Sequence, residues 1–307
     1  MSPDAWPLYC RSLLAVSVRA AAGLFPGQGE AAPERVHGLR KTLKEARALA
    51  RLFLPSIGEP ARVTIAALAV VRRRLGRARD LDVMAQRLEK LSPPEEIARP
   101  LGEAIARQRV AAERAHGAFA ASASRAQLRA IAKRVEAWDL GSANEDTIAE
   151  AVARTYRQAR RRGRAAFAAP DDPAALHALR SRVVDLRYQL AALAPAWPAA
   201  LEAQAEALND LRDTLGDFND LTVLMGFAAD EGGLTADALA ALNERIAARH
   251  AKLRRRASTE FERLFSEAPD AFAGRLSAYL KQPMEKPKAV PAKSARSAAA
   301  VTGRGPE

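Results

Sequence analysis

The 307-residue chain is predicted to be all-α and built as two tandem halves. Three observations carry that prediction. Alanine and leucine supply most of the apolar content, aromatics are only 5%, and β-branched runs are scarce, a mixture that favours helix over strand. Apolar residues recur with the helical period along most of the chain, and proline, glycine and small polar residues separate the periodic segments. Two sequence blocks also return at one common offset, from His37 to His177 and from Leu75 to Leu215.

The first helix is expected over 5–24, closed by GLFPGQGE, whose glycines lack the strand–loop–helix setting of a phosphate cradle and read as an interhelical loop. The second, 33–54, opens on Pro33 and stops before Pro55; the third and fourth, 60–76 and 80–91, are parted around Gly76. Helices over 95–121 and 124–138 complete the first series. The second series is expected at 145–168, 173–193, 198–215, 219–230, 235–264 and 269–280, with a break at Gly216. Residues 1–280 thus form one duplicated unit, with repeats of about 1–140 and 141–280. From Gln282 onward there are four prolines and no apolar period, so 281–307 is expected to be a disordered basic tail.

The formal charge of +12 points to an anionic partner: nucleic acid, an acidic membrane surface or polymeric phosphate. The single cysteine, Cys10, excludes an intramolecular disulfide and fits a reducing compartment. The N-terminus lacks a basic n-region, and Arg11 and Arg19 interrupt its apolar stretch, so neither a signal peptide nor a membrane span is expected and a cytoplasmic location is.

The repeat is carried by specific residues. HGLRKTLKEAR begins at His37 and HALRSRVVDLR at His177; LGRARDLDV begins at Leu75 and LGDFNDLTV at Leu215. Arg72 and Arg212 match at the same offset, as do Asp80 and Asp220, which are expected to cap helices or pair with arginines.

On a helical wheel with His37 at zero, Arg40, Lys44, Arg47 and Arg51 fall between about −80° and about −20°, and Lys41 at about +40°. Leu39, Leu43, Ala46, Ala50 and Phe53 gather on the opposite side, so one wall is apolar and the other basic. An ordinary solvated face mixes signs at i, i+4; this one repels itself. His177, Arg180 and Arg187 reproduce the arrangement, with Tyr188 alongside. Arg154, Arg157, Arg161 and Arg164 form a third stripe, and Arg245, Arg249, Lys252 and Arg256 a fourth. If several of these faces converge, they line a cationic groove or channel suited to a polyanion. Neighbouring cations disfavour imidazolium, so His37 and His177 are expected to be neutral hydrogen-bonding members of it. His116 and His250 lack such surroundings and read as surface residues. No cofactor is expected, and no metal site, because neither histidine has ligands at metal spacing.

In this order and spacing, VHGLRKTLKEARALARLF, LGRARDLDVM, LHALRSRVVDLRYQL and LGDFNDLTVL resemble the CHAD family, named for its conserved histidines on an α-helical domain. The resemblance covers most of residues 1–280. It implies two similar four-helix bundles related by a pseudo-twofold axis, with basic helices facing a central channel. It also implies binding of inorganic polyphosphate and, in some bacteria, localisation to polyphosphate granules. The family's binding positions fall on His37, Arg40, Lys44, Arg47 and Arg51, and on His177, Arg180, Arg187 and Tyr188. Arg79 is a further candidate to reach the channel. The family often carries a basic pair seven and eight residues after the histidine; here Lys44-Glu45 and Val184-Asp185 stand there, so the second stripe is expected to be poorer in cations, with Arg182 helping from its flank.

Neither a Walker A loop nor His-Glu-x-x-His occurs, nor the Glu-x-Glu-x-Lys strands of the triphosphate-processing domain that often accompanies this family. A binding module is therefore expected, not an enzyme. The alternatives are a nonspecific nucleic-acid-binding protein, with the basic tail contributing weakly, and, less favoured, a metal-dependent phosphohydrolase.

Overall fold

A computed structural model describes residues 5–25, 33–73, 77–116, 121–169 and 172–284. Among these the chain is all-helical. The first series comprises α1 (Ala5–Leu24), α2 (Pro33–Ala50), α3 (Leu54–Ile57), α4 (Glu59–Arg73), α5 (Arg77–Leu91), α6 (Glu95–His116) and α7 (Ala121–Glu136). The second comprises α8 (Glu145–Ala168), α9 (Pro173–Ala192), α10 (Pro198–Glu231), α11 (Ala236–Leu264) and α12 (Pro269–Leu280). The expected tail falls almost entirely outside the described residues, as does most of GLFPGQGE.

Local chemistry accounts for several boundaries. Asn144 and Thr147 form a reciprocal capping box at the start of α8, and the Asp172 carboxylate accepts from Ala174 and Ala175 at the start of α9. Proline at the first turn opens α9, α10 and α12, where its missing N–H has no intrahelical partner to lose. The expected helix over 33–54 tightens into a 3₁₀ turn at Arg51–Phe53, because Pro55 cannot donate a bond back to Arg51.

One expectation is corrected. Residues 198–231 are a single helix, not two parted at Gly216. Gly216 is buried within it, and a Cβ there would lie 3.4 Å from the Arg180 guanidinium. The glycine admits a close approach and marks no break.

The second series starts in step with the first: α1 and α8 begin at 5 and 145, α2 and α9 at 33 and 173, while α10 spans the positions equivalent to α4 and α5 together. Packing follows the same order, with α1 on α2 and α7 in one half and α8 on α9 and α12 in the other. Between halves, α2 meets α9, α5 meets α10 and α6 meets α11. Trp6, Cys10, Leu14 and Val18 form the buried stripe of α1, and Leu39, Leu43 and Ala46 that of α2. In the second half Tyr156 stacks on Phe272 with centroids 4.2 Å apart, beside Phe261 and Phe265. The Trp6 indole N–H donates to the Leu280 carbonyl at 2.8 Å, tying the first helix to the last described one.

Gly163 on α8 faces the buried Phe261 ring, and a Cβ at 163 would stand inside the ring's van der Waals surface. Alanine is the better helix former by ~1 kcal/mol, but the clash wins. Gly163→Ala is expected to lower stability by about 1–3 kcal/mol, read as a lower urea midpoint at unchanged m-value.

Candidate functional site

The two histidine-led helices do converge. With the apolar wall of α2 in the core, its other face packs against α9. Ala48, Val184 and Tyr188 form a small buried apolar patch between them. The buried Gln189 amide donates to the Ala48 carbonyl at 3.0 Å, and Tyr188 Oη approaches the Lys41 carbonyl at 3.5 Å.

Around this patch the cations assemble from four helices. Arg40 and Lys44 come from α2, Arg180 from α9, Arg72 from α4 and Arg212 from α10. Burial pushes Lys44 down to about 8, and Arg180, Arg40, Arg72 and Arg212 press in the same direction. Burial likewise lowers Arg72, and it lowers Arg180 against the opposing pull of Asp220. Farther along α2, Arg47 is pushed down to about 10 by burial and by Arg51 and Arg72. Arg187 stacks over the Tyr188 ring at 4.0 Å. The Nε–H groups of Arg47, Arg72, Arg180, Arg182, Arg187 and Arg212 are buried and meet no acceptor among the described residues. Several guanidinium groups therefore lie near one another with buried Nε–H groups that meet no acceptor among the described residues.

Acids hold part of this array. Arg40 donates to Asp80 at 3.0 Å, and Arg87 binds Asp220 and Asp217, so both repeat-matched aspartates pair with arginines. Asp185, only 6% exposed, pairs with Arg182 at 2.8 Å and Arg51 at 3.4 Å. Arg162 of α8 donates to the Ala178 carbonyl, beside the same Arg182 and Asp185. Sequence reasoning passed over Arg162, although its position one step around α8 from the basic stripe was the available signal.

Other expected members stand elsewhere. His37 and His177 are both exposed, near the N-terminal ends of their helices. They lie at the rim, one turn before Arg40 and Arg180. The His177 Nδ1–H donates to Asn219 Oδ1 at 2.7 Å. Lys41 is exposed as well, and the Arg79 side chain lies outside the described residues. The α8 stripe turns away from the groove: Arg157 pairs with Glu150, and Arg157, Arg161 and Arg164 surround a separate depression beside α12, with Arg154 exposed on the same helix. The α11 stripe does not join either, because α11 packs on α10 and α6, leaving Arg245, Arg249 and Lys252 exposed while Arg256 pairs with Glu260. A helical wheel assigns a face, not the neighbour that face will meet.

His250 corrects another expectation. It is half-buried, stacked on Phe218 with centroids 4.0 Å apart, and its Nε2–H donates to the Phe218 carbonyl. Burial lowers its pKa. The His116 side chain lies outside the described residues. Among the described residues no group of three or more His, Cys, Asp or Glu is arranged to hold a metal, and no helix is long and apolar enough to cross a membrane.

Comparison with known proteins is consistent with this architecture. A family model for the CHAD domain matches residues 14–229. Among solved structures, the chain is similar to PptA from Streptomyces chartreusis, at 19% identity and a TM-score of 0.52, covering 84% of this chain and 99% of that one. It is also similar to the CHAD domain from the plant Ricinus communis, at 20% identity and a TM-score of 0.53, covering 90% and 91%. No curated protein matches.

Lys44 gives the cation cluster a measurable signature. Below about pH 8 the folded chain holds this ammonium charged against four arginines, which opposes folding. As pH rises from about 8 toward 10.5 the unfolded chain keeps the proton while the folded one loses it, so this penalty fades. Lys44→Met is expected to be stabilising by on the order of 1–3 kcal/mol at pH 7, with the advantage shrinking by pH 10. Urea midpoints at the two pH values check this; a gain that grows with pH would contradict it.

Proposed function

The chain belongs to the CHAD domain family, which is associated with triphosphate and polyphosphate binding, and from that premise we propose that it binds linear polyphosphate in the groove between α2 and α9. The observation that carries this reading is the cluster of Arg40, Lys44, Arg72, Arg180 and Arg212, in which burial and then the four arginines lower Lys44, and in which the buried Nε–H groups of Arg72, Arg180 and Arg212 have no acceptor among the described residues. Such a concentration of positive charge opposes folding unless something negative offsets it, and the nearby aspartates offset only part.

Polyphosphate suits the chemistry. It offers a line of charged oxygens and no bases, so it requires a track of donors and no edge-reading side chains. Guanidinium forks grip adjacent oxygens while Lys44 supplies a compact charge. Binding would raise the Lys44 pKa again, so the groove takes up a fraction of a proton near pH 8 as the ligand enters. His177, with Nδ1 committed to Asn219, stands exposed one turn before Arg180. We read the chain as a binding module, not an enzyme, and association with polyphosphate granules in the cytoplasm would follow from the same binding.

The test is titration with long-chain polyphosphate, duplex DNA competing at equal charge, at two salt concentrations. Polyphosphate is expected to win at the higher salt, with affinity falling as counterions are released. Arg40→Gln/Arg180→Gln should weaken binding by roughly 100-fold, from about 1.5 kcal/mol for each charge-assisted bond removed. Equal competition by DNA, undiminished in the double variant, would sink the proposal. Phosphate release with added Mg²⁺ or Mn²⁺ would replace it with a hydrolase.

A further inference from the structure

The depression on α8 has a structure of its own. Arg157, Arg160, Arg161 and Arg164 surround about 200 Å³, closed on one side by Pro269 at the start of α12. Two of the four are fixed by partners: Arg157 by Glu150, and Arg160 by donating to the Phe265 carbonyl at 2.9 Å. Arg161 and Arg164 are exposed and have no carboxylate partner among the described residues. The N-cap residue of α12, Ala268, offers no side-chain cap, so the amides of that first turn also lack one. Asp270 in the same turn is exposed, and Glu267 is already bound bidentately by Arg275.

What links this depression to the groove is the order of residues around α8. Going around the helix from the groove side, the sequence of positions is Arg162, Gln158, Arg154, Arg161, Arg157, Arg164 and Arg160. Together they cover roughly 200° of its circumference, at about 100° per residue. One end of this belt touches the groove: Arg162 donates to the Ala178 carbonyl of α9, and Arg182 donates to Gln158 at 3.4 Å. The other end is the depression beside α12. Positions 154–164 include no acidic residue, and one turn before them Glu150 pairs with Arg157.

We propose that a polyphosphate chain longer than the groove leaves it across α8 and is gripped again by this arginine depression beside the start of α12. This rests on the groove reading above. The depression takes the same phosphoanhydride polymer, as its outgoing segment. The crossing spans at least one helix diameter, about 10–12 Å, so a ligand as short as tripolyphosphate seated in the groove does not reach it.

The experiment compares long-chain polyphosphate with tripolyphosphate on the full chain, for the wild type, Arg161→Gln/Arg164→Gln, and a control, Lys133→Gln/Arg134→Gln on α7, that removes two exposed cations elsewhere. The α8 variant is expected to bind the long chain about ten-fold more weakly, as one charge-assisted hydrogen bond would account for. Its salt slope should fall by roughly 0.7 for each phosphate no longer neutralised. Tripolyphosphate binding and the control should be unchanged. An unchanged long-chain affinity, an equal weakening in the control, or an equal weakening for tripolyphosphate overturns the exit path; the last would make the depression an independent anion site. A wild type that binds neither ligand instead overturns the groove reading itself, and the exit path with it.

Discussion

Like charges gathered in a partly buried crevice repel one another, and the architecture of this chain is arranged around holding them there. The cations of the groove reach it from α2, α4, α9 and α10, so no single helix bears the whole repulsion. Each of those helices is anchored by buried apolar residues: Leu39, Leu43 and Ala46 on α2, Leu68 and Val71 on α4, Leu179 and Val183 on α9, Leu208 and Leu211 on α10. Burying a large aliphatic side chain contributes about 1.5–3 kcal/mol, and that non-directional attraction opposes the electrostatic cost. The core pins the backbone from which the guanidinium groups project.

The two halves treat this strain differently. Lys44 of the first corresponds to Val184 of the second, Ala48 to Tyr188 and Glu45 to Asp185. In the second half a cation has given way to part of the apolar patch that seals α2 against α9. Asp185 meanwhile sits between Arg51 and Arg182, one from each half, as a shared internal counterion. Such buried ion pairs add little net stability when desolvation is counted, but they hold side chains at set positions. Both ends of the cluster carry acids: Asp185 at one, and Asp80 on Arg40 and Asp213 on Arg212 at the other.

Much of this was legible in the sequence because helical periodicity and a repeated block are local signals. Helix α8 runs over the very residues its pattern indicated, and the repeat-matched pairs Arg40/Arg180 and Arg72/Arg212 all stand near Lys44. What stayed hidden depends on tertiary neighbours. Gly216 looks like a break until Arg180 is seen against it. The stripes of α8 and α11 share the spacing of the α2 stripe, yet they face α12 and open surface. His250 appeared to be a surface histidine because its partner ring, Phe218, lies 32 residues away on another helix. The histidines that mark the repeat proved to stand at the rim, with the arginines that follow them deeper inside.

The Gln189 bond to the Ala48 carbonyl bears on how the two halves are held in register. A polar side chain buried in an apolar seam tolerates little misalignment, since sliding one helix by a single residue, about 1.5 Å, would strip it of its partner. Sliding would also move Arg180 past Arg40 by the same amount. The amide therefore acts as an index pin between two toothed racks. With the pin in place, the backbone positions from which Arg40 and Arg180 project keep one register across the seam.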